Sequence, residues 1–464
     1  MNVSIDTMRK PQKIGWGSAA AVVVANMVGT GVFTSLGFQV EIVQNRYAIL
    51  FLWALGGLNA LLGAFAYAEL GTHLRRSGGE YHYLSTLYHP FLGYLSGWIS
   101  VTVGFGASVA LTAMAMGFYM TPFLHQNPTF IAFISIVVLS LVHSFSIRQS
   151  SLVQNSLTIL KVALIVLLIV AGWYLPPAAG ESWQTGSNSP WIWDSAALAV
   201  ALVFVNYSYS GWNAAAYIVE EIRQPIRNLP RALIGGAAVV SVLYVLLQLS
   251  FLRQVPLEVL MQKVEVGHLA AESMFGATIG NWFSVIIALL LASSLSAMVW
   301  VGPRIIGSMA KDHDNWRFFR TQNRHGIPVR AIWFQACISL VLMLTGTFEQ
   351  LLLYSGFILQ LFNALTIAGV FVLRYKFPEL RGYRSPWFPW LQLIYLIISV
   401  WMLIFLLIDK PIESLLGLAN LALGALTFFW GKKLSDFYPK SEIEVKNQQI
   451  RPCGPFNKLD LHLR

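Results

Sequence analysis

The stretch Ala25–Gly37, ANMVGTGVFTSLG, lies inside an apolar run, residues 14–37, long enough to cross a bilayer. It carries Gly29, Gly31 and Gly37. A glycine inside a helix costs about 1 kcal/mol relative to alanine. Lipid offers no water to satisfy backbone that unwinds. Two explanations fit a glycine pair at the middle of such a run. Small residues let helices pack closely, or the backbone is held open where it lines a cavity.

The rest of the chain sets the context. Of its 464 residues, 56% are hydrophobic and 11% are charged, against about 25% charged in a typical soluble domain. Roughly twelve apolar spans of about 20 residues or more can be read along it: 14–37, 47–71, 91–121, 129–147, 152–175, 194–219, 230–252, 279–309, 330–346, 349–374, 387–408 and 411–431. The sequence therefore predicts an all-α membrane protein. A tail of residues 1–13 precedes a membrane domain at 14–435, and a second tail covers 436–464. When loops are assigned to alternate sides, most of the 31 lysines and arginines fall on the side that holds both termini. Arg46, Arg253, Lys263 and Lys410 fall on the other. The positive-inside rule makes the first side cytoplasmic and places a multi-pass protein in the cell membrane. The net charge of +10 is thus orientation and headgroup contact, and no nucleic-acid partner is expected. Cys337 and Cys453 are expected to be free thiols.

Span 6 tests the cavity explanation. Its centre, Asn206 to Asn213, reads NYSYSGWN, with Ser208, Ser210 and Gly211 where lipid-facing residues would be leucine and valine. Two interrupted hydrophobic segments at matching places in two halves point to a transporter site at the repeat interface. The halves would be about 14–175 and 194–374, five spans each. An odd number inserts the second half upside down, and helices 11–12 at about 387–431 follow. A helix resuming after a break offers free N–H groups to a carboxylate. The carbonyls ending the preceding stub suit an ammonium. One amino-acid zwitterion satisfies both.

At these residues the chain resembles the amino acid–polyamine–organocation (APC) superfamily, and within it bacterial relatives of the L-type amino acid transporters. GTGVF, YAELGTHLRRSGGEYHYL, YSGWNAAAYIVEEIRQPIRNLPRAL, GPRIIGSMAKDH and GIPVRAI carry the resemblance, in family order. It implies a LeuT-type fold: twelve transmembrane helices, a 5+5 inverted repeat with broken helices 1 and 6, and two extra C-terminal helices. It implies a binding segment at Met27, Val28, Gly29, Thr30 and Gly31, facing Tyr207, Ser208, Ser210, Gly211 and Asn213. The amides around Thr30 and Gly31 would take the carboxylate, and the carbonyls of Met27 and Tyr207 the α-amino group. Tyr207 would gate the substrate, and Asn213 would lie beside it. Three positions depart from the family pattern: Arg75 for a proline, Gly382 within Arg381-Gly382-Tyr383 for another, and Ser210-Gly211 for a Gly-Gly pair.

A charge at membrane depth is a functional candidate. Lys161 lies about ten residues into span 5, close to the midplane. SLTILKVAL resembles the lysine motif of the L-type branch, where the ammonium occupies the place of a sodium ion. Its expected partners are carbonyls freed at the span 1 break and hydroxyls of span 8, among Ser293, Ser294 and Ser296. Glu69, Glu220, Glu221 and Arg304 are expected to pair or snorkel near cytoplasmic helix ends, and His143 to be solvated or bonded to a carbonyl.

The resulting expectation is a sodium-independent exchanger or facilitator of neutral L-amino acids. Proton-coupled symport through Lys161 is the alternative; a sensor or channel is more remote. No His-Glu-x-x-His, Gly-x-Ser-x-Gly or paired midplane carboxylates occur in the spans, so no enzyme, cofactor or metal is expected. The 121–129 connection has no cysteine, which predicts no disulfide-linked accessory subunit.

Overall fold

A computed structural model describes residues 13–145, 151–177, 194–324, 326–379 and 381–437. Among them the chain is helical, apart from a single bridge between Ile14 and Ile222. In order, the helices are α1 (Trp16–Met27), α2 (Gly31–Thr34), α3 (Leu36–Ile42), α4 (Arg46–His73), α5 (Glu80–Leu87) and α6 (Pro90–Ile99). A π-helical segment, Ser100–Ala107, joins α6 to α7 (Ser108–Leu124). Then come α8 (Pro128–Phe145), α9 (Ser151–Tyr174) and α10 (Ser195–Tyr209), followed by a 3-10 segment, Ala214–Glu221. Next are α11 (Pro225–Gln254), α12 (Leu257–Leu260), α13 (Val266–Phe275) and α14 (Ala277–Asp312), with a second 3-10 segment at Asp314–Arg320. The last are α15 (Val329–Thr345), α16 (Phe348–Lys376), α17 (Trp390–Asp409) and α18 (Pro411–Phe437).

Among the described residues, ten helical spans are long and apolar enough to cross a membrane. Two of the twelve sequence spans fall short of that length. α15 has 17 residues, and α10 stops after 15 because the chain leaves the helix at Ser210. The connection between the spans at 230–252 and 279–309 contains the short helices α12 and α13. Its apolar residues Val266, Ala270 and Ala271 are buried, which a solvated loop does not allow. Span 3 carries a π-helical stretch that its composition does not announce.

Local chemistry sets several boundaries. Asn45 and Asp194 cap α4 and α10 by accepting bonds from first-turn amides. Thr347 and Gln350 form a capping box at the start of α16. Pro90 and Pro225 occupy first-turn positions that need no amide donor.

Two packed groups result. α1, α4, α10 and α11 form one; the π-helical segment, α7, α8, α14 and α15 form the other. α9 reaches both α11 and α14. Large rings such as Trp53, Tyr67, Tyr209, Tyr244 and Tyr395 fill the interior. On the outside, α17 exposes Ile397, Val400, Ile404 and Ile408. A continuous apolar surface of that kind is a face for lipid.

Candidate functional site

Both interrupted spans are open at their centres. α1 ends at Met27, residues 28–30 leave the helix, and α2 begins at Gly31. α10 ends at Tyr209, and Ser210–Asn213 separate it from the 3-10 segment. Gly211 has a φ of +97°, in the region that favours glycine.

The two openings face each other. A Cβ on Gly31 would meet Ser208 Cα at 2.5 Å, and one on Gly211 would meet the Asn26 carbonyl at 2.8 Å. Further along, the Ile14 amide donates to the Glu221 carbonyl over 2.8 Å. Rising positions in span 1 meet falling positions in span 6, so the two run in opposite directions. Gly31 is therefore a close-packing glycine as well as a residue of the break. Gly29 is different: the nearest atom to a Cβ there is its own neighbour Met27 O at 3.9 Å.

Polar side chains hold the break in span 1. The Tyr244 hydroxyl donates to the Met27 carbonyl over 2.6 Å, and the Gln248 amide to Val32 over 2.9 Å. The Tyr119 hydroxyl donates to Phe33 over 2.8 Å. The Ser35 and Ser208 hydroxyls pair at 2.7 Å, joining the two broken spans, and Gln39 links Ser35 to Trp53 on α4. Sequence reading missed Tyr244 and Gln248. Their signal was available: polar groups four residues apart in an apolar helix share one face.

The Met27 carbonyl also accepts from the Gly29 amide over 2.8 Å. Both of its lone pairs are engaged, which departs from its expected role as an ammonium acceptor. The Tyr207 carbonyl accepts only the Ser210 amide among the described backbone bonds outside helices. The amides of Thr30, Gly31 and Val32 open the resumed helix and have no helical partner. Tyr207 is buried, and Ser210 is half-buried beside it.

Lys161 is buried at 4% exposure. Its Nζ donates to Ser294 Oγ over 2.6 Å and to the Val28 carbonyl over 3.4 Å. Ser293 is half-buried and enters neither bond. Ser296 Oγ instead pairs with His143 Nε2 at 2.8 Å. His143 is itself buried, not solvated, because α14 packs over it.

Asn213 points away from the openings. Its amide donates to Glu80 Oε1 over 2.5 Å, and the same carboxylate accepts from Tyr67 over 2.6 Å and from Tyr217. Glu80 was not singled out by sequence reading, since one glutamate in a polar loop carries no pattern. Glu69, with a side chain 1% exposed, is held by Arg374 through bonds of 2.7 and 2.9 Å and by Ser385. Burial and that carboxylate push the neighbouring Tyr383 hydroxyl up to about 12. Two of the departures from the family pattern lie beside this cluster. Arg75 donates to the Arg381 carbonyl over 3.1 Å, and Gly382 lies against His73. Glu220 accepts from the Ser77 amide, and Arg304 lies over the Trp300 ring. Cys337 is a free, exposed thiol; Cys453 lies outside the described residues.

The comparisons agree with this architecture. The mouse "Large neutral amino acids transporter small subunit 2" is 28% identical over 441 residues, covering 90% of this chain and 81% of that protein. The human "b(0,+)-type amino acid transporter 1" is 30% identical over 454 residues, covering 91% and 90%. The amino acid permease family model matches residues 14–422, and the chain belongs to that family.

Proposed function

We propose that the protein is a sodium-independent carrier of neutral L-amino acids, working by alternating access as an exchanger or facilitator. The observation that carries this is the pair of facing openings at 28–30 and 210–213. The amides of Thr30, Gly31 and Val32 take the carboxylate. The last carbonyls of α10, Tyr207 among them, take the ammonium. Met27 O stays with Tyr244. Val28, Gly29, Ser208, Ser210 and Gly211 shape the surrounding backbone. No aspartate or glutamate belongs to either opening, so a cationic side chain would be buried there without a counter-charge. The name of the mouse relative, with its large neutral amino acids, supports the same substrate class.

The proposed architecture is the LeuT-type 5+5 inverted repeat, about 14–175 and 194–374, followed by helices 11–12. Opposed running of the two broken spans supports it. Both termini face the cytoplasm, on the side of the basic loops. The relative is named a small subunit, whereas the 121–129 connection here has no cysteine to hold a partner covalently.

A second reading, proton-coupled symport, draws on Lys161, whose bonded partners are a hydroxyl and a carbonyl rather than a carboxylate. Proteoliposomes loaded with unlabelled amino acid decide between these. Saturable counterflow of a labelled neutral amino acid, unchanged when choline replaces sodium and not driven by a proton gradient, is the expected result. Arginine or lysine competing as well as leucine, alanine or serine would overturn the substrate class.

A further inference from the structure

A second cavity is lined by none of the residues of the two openings. It occupies about 350 Å³ between the end of α8, the last turns of α14, the 3-10 segment at Asp314–Arg320 and the start of α15. Arg304, Lys311 and Arg320 line it, with the Ser308 hydroxyl, and none of the described lining residues is acidic. Two of the cations are fixed before any ligand arrives. The Arg304 guanidinium lies 3.3 Å above the Trp300 ring. Arg320 is held by the Ala310 carbonyl at 2.5 Å and by Asp314 at 2.6 Å. Lys311 is exposed and enters no such bond. Apart from His143 and Gln322, the remaining wall, including Trp300, Phe319, Ile327 and Ile332, is apolar. α8, which contributes His143, exposes Leu141, Val142 and Phe145 on its other faces.

We propose that this cavity binds the phosphate-bearing headgroup of an anionic phospholipid, with its glycerol and acyl carbons along the apolar wall. Three cationic side chains line one concave site, and two of them, Arg304 and Lys311, have no carboxylate partner among the described residues, whereas ordinary headgroup attraction needs only a diffuse basic surface. Guanidinium groups suit phosphate because their fork of donors matches its oxygens. The apolar part of the wall, Trp300, Phe319, Ile327 and Ile332, selects a lipid over a soluble phosphate, which has no carbons to place there.

Native mass spectrometry of the full chain tests this, with dioleoyl phosphatidylglycerol and dioleoyl phosphatidylcholine added in equal amounts. Phosphatidylglycerol is expected to bind at least ten-fold more tightly to the wild type. Lys311→Gln and Arg304→Gln should each weaken it about five-fold, and Lys410→Gln, on a different surface, should leave it unchanged. Lys311 has no bond to lose, so its substitution separates binding from folding. Equal retention of phosphatidylglycerol by wild type and both variants overturns the site. Displacement of the lipid by an equal concentration of glycerol 3-phosphate overturns the lipid as its source.

Discussion

Lys161 Nζ lies 2.6 Å from Ser294 Oγ and 3.4 Å from the Val28 carbonyl. One buried ammonium therefore joins α9 to α14 and to the opening in span 1. Both partners are neutral, and each bond to the charged group contributes roughly 1.5–3 kcal/mol. The bond to Val28 reaches the backbone next to the amides proposed to take the carboxylate. Any movement of α14 relative to α1 must break or remake this connection.

Lys161→Ala should lower uptake roughly ten- to hundred-fold, the equivalent of losing one such bond. Binding should suffer less, because the ammonium braces the opening and does not itself hold the substrate. Ser294→Ala should fall between the wild type and Lys161→Ala. Wild-type uptake should be the same with sodium or choline. Initial rates in matched liposomes, with thermal shift as the binding readout, check all three. Full uptake by Lys161→Ala, or strict sodium dependence, would end this account.

Gly31→Val should abolish substrate-induced stabilisation, and Gly31→Ala should already weaken it. A Cβ at this position would come within 2.5 Å of the Ser208 backbone, so the two broken spans must separate. Gly29→Ala is the informative contrast. Nothing but its own chain neighbour lies within 4 Å of its Cβ, so any loss of binding there reports the ligand rather than helix packing. Monodisperse elution of each variant from size exclusion separates misfolding from lost affinity. Normal binding by Gly31→Val would make the opening a packing feature alone.

The openings were legible in sequence because glycine, serine and asparagine stand out inside runs of valine and leucine. The burial of Lys161 agrees with its place about ten residues into an apolar span. What surrounds the openings was not legible. Tyr244, Gln248 and Tyr119 come from distant spans, and only packing brings their hydroxyls and amide to the carbonyls of span 1. The partner of Asn213 was not legible for a related reason. Its position in the sequence is beside the opening, but the 3-10 geometry that follows Gly211 turns its amide to Glu80. α12 and α13 were hidden because each is shorter than the window of about 11–18 residues over which helical periodicity is read.

Glu69 and Arg374 should behave as a coupled pair. The carboxylate is almost fully buried, and two of its bonds come from one guanidinium. Removing one partner of such a pair costs about 3–5 kcal/mol, because the other is left buried and unpaired. Glu69→Ala and Arg374→Ala should each shorten the half-life of the purified protein at elevated temperature. The double substitution should be less damaging than the sum of the two. Additive effects in this cycle would show that the pair is not a unit.

Glu80 accepts from Tyr67 on α4 and from Asn213 and Tyr217 beyond the span 6 opening. It begins α5 and is buried, with neutral donors as its bonded partners. This carboxylate fastens the second part of span 6 to α4. Tyr67 also reaches Asn363 on α16 over 3.2 Å, extending the connection to a third span. Releasing Asn213 should therefore change how fast the protein cycles, not how well it holds substrate. Asn213→Ala is expected to leave the KM for a neutral amino acid within about two-fold, since no substrate contact is lost. Its maximal rate should change several-fold. Glu80→Gln should act in the same direction and more strongly, because each donor then meets a neutral amide instead of a charge. Concentration series of counterflow in liposomes give both parameters for each variant. A rise of ten-fold or more in KM with an unchanged maximal rate for Asn213→Ala would place its amide on the substrate and remove it from the Glu80 connection.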